Sequence, residues 1–166
     1  MSTLLAVLLV ATAAYVLARN RAVAAVSGKI ADLHSLPGHY AWYAALLAAV
    51  PALALWLLWL GLEPVALRGL VEASLPEDVR RQSPEMLDFL MAAARRLAEG
   101  LPPTGEPTPA LEAAAAYYAQ LQTYGRIALF VAVVALAAAL AAWALRRIDP
   151  TFRARNRVER FVTATL

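Results

Sequence analysis

The stretch that decides the fold is residues 40–62, which read YAWYAALLAAVPALALWLLWLGL and contain no charged side chain. A helix rises about 1.5 Å per residue and the hydrocarbon layer of a membrane is about 30 Å thick, so a span needs about 20 apolar residues. This stretch therefore predicts a transmembrane helix. Two further charge-free runs, residues 127–145 and the shorter residues 3–18, predict two more spans.

The composition agrees with a membrane protein. Of the 166 residues, 61% are hydrophobic and 16% are charged, whereas a soluble domain is about 45–50% apolar and about 25% charged. The absence of cysteine excludes disulfides, thiolate metal sites and cysteine nucleophiles. We therefore predict an all-α integral membrane protein with three transmembrane helices. Its net charge of +3 suits a membrane surface, and we expect no nucleic-acid partner.

The first run could also be read as a signal peptide. Such peptides begin with a basic segment, but here only Met1-Ser2-Thr3 leads into the run, and the positive charges of Arg19 and Arg21 follow it. This order favours an uncleaved span with its N-terminus outside the cytoplasm.

The distribution of arginine predicts the topology, because cytoplasmic segments are enriched in positive charge. Residues 63–125 carry five arginines against nine acidic side chains. The basic segments follow the first and third spans, with Arg19, Arg21, Arg146, Arg147, Arg153, Arg155, Arg157 and Arg160. We therefore predict a multi-pass protein of a bacterial inner membrane, in contact with membrane lipids, with a periplasmic N-terminus and a cytoplasmic C-terminus.

These limits predict three segments. Residues 1–62 form a two-span hairpin, residues 63–125 a small helical periplasmic cap, and residues 126–166 the third span with a basic cytoplasmic tail. Within the cap, helix signals predict one helix over Pro64–Ser74, a second from Ser83-Pro84 to a stop at Gly100, and a third from Thr108-Pro109. No proline follows in residues 110–145, so the third helix can continue into the last span.

Small residues repeat at helical spacing along two of the spans. They are Ala41, Ala45 and Ala49 on the second, and Ala128, Ala132, Ala135 and Ala139 on the third. Small side chains let helices approach closely in a membrane, so these alanines are candidate packing positions; incidental spacing in an alanine-rich segment is the alternative. Pro37-Gly38 predicts a tight turn before the second span, and Pro51 predicts a kink or local unwinding within it.

Motifs for chemistry are absent from the sequence. The spans contain no ionisable side chain of the kind that ion and proton pathways use. His34 and His39 with Asp32 are too few ligands for a metal site. We therefore expect no catalytic, cofactor or metal site, no enzymatic activity and no translocation path.

Two stretches carry a resemblance to a known family. Residues 31–51, ADLHSLPGHYAWYAALLAAVP, and residues 152–162, FRARNRVERFV, resemble bacterial phosphate ABC transporter permeases of the PstC type that carry an extra N-terminal membrane domain. The first stretch looks like the turn and span of that domain. The second resembles the junction where the permease core of the family begins.

The resemblance implies an accessory membrane domain in the permease subunit of a phosphate importer. Its implied partners are the permease core, a second permease subunit, an ATPase subunit and a periplasmic phosphate-binding protein. The sequence ends at Leu166, just as the next span of that family would begin, and it does not contain the permease core. We therefore expect no transport by this chain on its own. The alternative is a stand-alone three-span inner-membrane sensor or assembly factor.

Overall fold

The chain folds into α-helices throughout the part that the structure describes. The structure is a computed structural model that describes residues 2–26, 36–102 and 108–148. Over these ranges there is no strand, and the helices are α1 Ser2–Ala25, α2 Pro37–Ser74, α3 Glu77–Arg80, α4 Pro84–Ala98 and α5 Pro109–Arg146. The all-α prediction is confirmed.

Three of the helices, α1, α2 and α5, are long and apolar enough to cross a membrane, which confirms the three predicted spans. The helices α2 and α5 each contain 38 residues, a length of about 57 Å at the usual rise per residue. Each is therefore longer than the hydrocarbon layer, which is about 30 Å thick.

The helix α2 joins two elements that the sequence analysis separates. Residues 40–62 and Pro64–Ser74 lie on one uninterrupted helix, which passes through both Pro51 and Pro64. Each proline removes one backbone N–H donor, but Leu67 and Val71 beyond Pro64 are buried, and their packing favours continuation of the helix.

The predicted turn at Pro37-Gly38 is the first turn of α2. Pro37 is the first helical residue, where a missing N–H is tolerated because the first donors of a helix have no partner within it. The backbone N–H of His39 donates to the carbonyl of Leu36 at 2.9 Å.

The chain divides into two compact units. Unit 1 comprises Met1–Leu57 with Phe130–Leu166, and unit 2 comprises Leu58–Leu129. The buried cluster of unit 1 consists largely of alanines from α1, α2 and α5: Ala14, Ala18, Ala22, Ala44, Ala48, Ala141 and Ala144, with Tyr40, Tyr43 and Ile148. Such small side chains allow helix backbones to approach closely, which is the main source of packing energy between helices in lipid.

Unit 2 has a buried cluster of its own, with larger side chains. It combines Leu67 and Val71 of α2, Leu75 just after α2, Val79 of α3, Met91, Ala93 and Ala94 of α4, and Leu111, Ala114, Ala115 and Tyr118 of α5. The helix α3 was not predicted, because it has only four residues, too few for a periodic pattern, and no side-chain hydrogen bond at its N-cap.

The predicted ends of α4 are confirmed. At its start the hydroxyl of Ser83 accepts a hydrogen bond from the backbone N–H of Met86. At its end Gly100 has a φ of 79°, and the N–H groups of Gly100 and Leu101 donate to the carbonyls of Leu97 and Arg96. This is a Schellman motif, in which a glycine takes up a left-handed conformation at little cost.

The predicted continuity of α5 is also confirmed. The hydroxyl of Thr108 accepts a hydrogen bond from the N–H of Leu111 at 3.3 Å, and the helix then runs without interruption to Arg146. Gly125 does not break it. A side-chain Cβ at this glycine would lie 3.4 Å from a ring carbon of Trp59, within unit 2.

Candidate interaction surfaces

The predicted packing positions on α2 are turned mainly toward the interior of the protein. Ala41 and Ala45 are buried, and Ala49 is half-buried. These alanines lie on a helix whose first half also contributes Tyr40, Ala44 and Ala48 to the buried interior. Most of their surface is therefore covered within the chain itself.

The predicted packing positions on α5 are turned outward. Ala128, Ala132, Ala135 and Ala139, here named the alanine stripe, are all exposed. Their spacing of four, three and four residues places them on one face of the helix. The larger Ile127 and Val131 are exposed beside them, so the stripe is a shallow, smooth strip between bulkier side chains.

The opposite face of α5 packs within the protein. Val133, Ala137 and Ala144 are fully buried, and Ala141 is nearly so. In helical projection these residues lie on the side away from the alanine stripe. Within unit 1, the described residues of the other helices therefore leave Ala132, Ala135 and Ala139 of the stripe exposed.

The outward face of α1 has a different character. Leu5, Leu9, Val16 and Leu17 are exposed there, and a single alanine, Ala13, is exposed among them. Large aliphatic side chains of this kind suit contact with lipid chains, whereas small ones are typical of contacts between helices. The outward face of α1 thus favours contact with lipid, and the alanine stripe of α5 favours contact with another helix.

Half of the charged side chains that the structure describes in unit 2 are paired with one another. Arg68 contacts both Asp88 and Glu72, Arg81 contacts Glu77 at 2.7 Å, and the Nε of Arg95 donates to Glu99 at 2.9 Å. The hydrogen bond from Arg95 to the Glu99 carboxylate raises the pKa of Arg95. All these pairs are exposed, so each contributes little to stability.

A groove of about 570 Å³ lies within unit 2, between α3 and the beginning of α5. Its lining is mostly apolar and includes Val79, Ala113 and Ala114, with Ser74, Asp78 and Tyr117 as the polar members. Among the described residues no three histidine, cysteine or acidic side chains come together as a metal site would require. The groove is thus a mostly apolar depression whose lining includes one carboxylate, that of Asp78.

The remaining predicted residues lie near helix ends or outside the described part of the chain. Arg19 and Arg21 are exposed near the end of α1, and Arg146 and Arg147 are exposed at the end of α5. His39 lies in the first turn of α2. Asp32, His34, Arg153, Arg155, Arg157 and Arg160 lie outside the described residues.

Comparison with known proteins identifies the family. No curated protein and no solved structure matches the chain. A family model described as "Phosphate ATP-binding cassette transporter" matches residues 4–166. The match covers all three membrane-spanning helices and both units, and it confirms the resemblance to phosphate ABC transporters found in the sequence. On this evidence, the chain belongs to the phosphate ATP-binding cassette transporter family.

Proposed function

We propose that this chain is an accessory N-terminal membrane domain of the permease subunit of a bacterial phosphate importer. The observation that carries the proposal is the family match over residues 4–166. The resemblance of residues 31–51 and 152–162 to the extra domain of such permeases supports it. Its role is to pack against the permease core and to bind other subunits, without catalysis and without a transport path of its own. The charge-free runs of its spans contain no aspartate, glutamate, lysine, arginine or histidine, the residues that transport paths usually use.

The topology that we propose follows from charge. The N-terminus and residues 63–125 lie on the periplasmic side, and the arginine-rich tail lies in the cytoplasm. The net negative charge of residues 63–125 and the arginines after the first and third spans support this orientation. In this orientation the small helical cap is the part that a periplasmic phosphate-binding protein can reach.

Cysteine labelling tests the topology, and the chain offers a clean background because it has no cysteine. We expect Gln82→Cys, an exposed residue between α3 and α4, to react with an impermeant maleimide on intact spheroplasts. Ser27→Cys should react only after the membrane is permeabilised, because its segment follows Arg19 and Arg21. Labelling of Ser27→Cys alone in intact spheroplasts would invert the orientation.

The surface that we propose for the permease core is the alanine stripe of α5. It is a smooth strip of small side chains on a membrane-spanning helix, exposed along its length. A second transmembrane helix can approach such a strip closely and gain van der Waals contact that lipid chains do not match. The proposed partner is a transmembrane helix of the permease core.

Enlarging the stripe is expected to break this contact. We expect Ala135→Leu combined with Ala139→Leu to reduce co-purification with the other importer subunits in mild detergent by about tenfold or more, because two added side chains hold the helices apart at a cost of about 1–3 kcal/mol each. The matched control is Ala13→Leu, which adds the same side chain to the aliphatic outward face of α1 and should leave co-purification unchanged.

The same experiment separates the proposal from its alternative. If the unmodified chain brings down no permease, ATPase or phosphate-binding subunit, the importer role fails. A stand-alone membrane sensor or assembly factor would then be the better proposal, with unit 2 as the part that responds to a signal. Equal loss for the stripe variant and the Ala13→Leu control would remove the stripe as the contact surface.

A further inference from the structure

All charged side chains in the described part of unit 1 are positive. Its described residues contain four arginines, Arg19, Arg21, Arg146 and Arg147, and no aspartate or glutamate. No ion pair joins any of these guanidinium groups to another described residue. In unit 2, by contrast, nearby carboxylates pair with three of the six described arginines, Arg68, Arg81 and Arg95.

The four arginines lie at one end of the unit 1 bundle. Ala22 near the end of α1, Tyr40 near the start of α2 and Ile148 just after α5 belong to the same buried cluster. The final turns of α1 and α5 therefore lie at the same end as the first turn of α2. This end concentrates positive charge, since nothing acidic in the described part of the unit offsets it.

One of these guanidinium groups is held in place. The Cζ of Arg147 lies 4.5 Å from the centroid of the Trp143 ring, in the arrangement of a cation–π contact. The backbone on both sides is fixed as well, because the N–H of Arg147 donates to the carbonyl of Ala144 at 3.0 Å and Ile148 is buried. A stacked guanidinium keeps its N–H donors along its edge available, in the geometry that matches phosphate oxygens.

The position of Trp143 and Arg147 along α5 indicates whether an anion that binds there comes from water or from the membrane. Trp143 is 41% exposed and lies two residues before the end of the charge-free run 127–145, on a helix that is long and apolar enough to cross a membrane. Tryptophan and arginine at the end of a span lie at the level of lipid headgroups. The phosphate available at that level, with an acyl chain to cover the apolar surface beneath it, belongs to a phospholipid.

We infer that Trp143, Arg146 and Arg147 form a binding site for the phosphate of an anionic glycerophospholipid. Arg147, stacked on Trp143, supplies a fixed fork of donors, and Arg146, adjacent and exposed, supplies a second positive charge. Free phosphate shares the chemistry of the headgroup, but only the lipid also contacts the apolar surface of α5. This site does not depend on the importer role proposed above.

Native mass spectrometry tests the site on the full chain, purified in mild detergent from a bacterial membrane that contains phosphatidylglycerol. We expect the unmodified protein to carry a bound anionic phospholipid. In Arg147→Gln the bound fraction should fall about fivefold, since one arginine beside anionic headgroups contributes about 1 kcal/mol. Trp143→Leu should reduce it as well, and Arg147→Lys should restore only part of it, because lysine keeps the charge and loses the planar fork.

The matched control is Arg126→Gln, which removes an exposed arginine elsewhere on α5 and should leave the bound fraction unchanged. An unmodified protein without bound phospholipid would overturn the inference, and so would equal lipid loss in Arg126→Gln and Arg147→Gln. An excess of inorganic phosphate should not displace the lipid. Displacement would assign the site to free phosphate and would overturn the lipid assignment.

Discussion

Replacement of Met91 by alanine is expected to destabilise unit 2 strongly. Met91 is 6% exposed and belongs to the buried cluster that includes Leu67, Val71 and Tyr118. Truncation of a buried methionine to alanine costs about 2–5 kcal/mol through lost apolar contact and the cavity left behind. In a unit as small as Leu58–Leu129, this is a large part of the free energy of unfolding.

Trypsin provides the measurement, because Arg95 and Arg96 lie within α4. In protein reconstituted into lipid nanodiscs, both surfaces are open to the protease, and the cleavage rate follows the population of the opened unit. We expect Met91→Ala to speed cleavage at this pair about thirtyfold or more, the factor that corresponds to about 2 kcal/mol.

The helix itself supplies the control for this truncation. Met86→Ala makes the same change on α4 at a side chain that is 51% exposed, and it should leave the cleavage rate within about twofold, as is usual for surface substitutions. Similar rates for the two variants would contradict the packing of α4 that the structure describes.

Replacement of Ala44 by leucine is expected to have the largest effect in unit 1. Ala44 is fully buried, and its cluster contains Ala18, Ala48 and Ala144. A leucine at this position forces the helices apart, and overpacking of this kind costs about 1–3 kcal/mol. Lipid offers little compensation, since a leucine side chain gains almost nothing by moving from lipid into a protein interior.

Thermal denaturation in mild detergent measures this effect. We expect the midpoint of Ala44→Leu to fall by about 2–12 °C, which corresponds to this loss of free energy in a chain of this size. Ala54→Leu is the control, because it makes the same substitution on the same helix at an exposed position. If both variants denature at the temperature of the unmodified protein, Ala44 is not at a close helix contact.

Several elements could be predicted from the sequence because local chemistry determines them. The three spans follow from the length of the charge-free runs, and these runs lie within α1, α2 and α5. The limits of α4 follow from a serine that can cap a helix and a glycine that can adopt positive φ, and both residues do so. In each case the signal lies within a few residues of the feature.

The sequence could not predict which alanines face the interior of the protein and which face outward. A helix with apolar residues on every side gives no periodic signal to tell its inner face from its outer face. Ala41 and Ala45 share their spacing with Ala128 and Ala132, yet the first pair is buried and the second pair is exposed. Only the arrangement of all three long helices decides which alanines stay open.

The end of helix α2 could not be predicted from nearby residues either. Glu63 and Pro64 are an ordinary stop signal after an apolar run, so the sequence predicts a break in the helix there. The helix continues to Ser74, and the residues that favour this continuation are buried against partners far away in the sequence, such as Met91 and Tyr118. Such distant contacts leave no trace in the residues near a helix end.

The alanine interior of unit 1 limits how this chain can diverge. Six alanines of this interior are only 0–2% exposed: Ala14, Ala18, Ala22, Ala44, Ala48 and Ala144. Only glycine and serine are close to alanine in volume, so few substitutions can be accepted at these positions. The outward aliphatic side chains, such as Leu5, Leu9 and Leu57, can exchange freely among large apolar types. Homologues should therefore diverge quickly on the lipid-facing surface while the interior hardly changes.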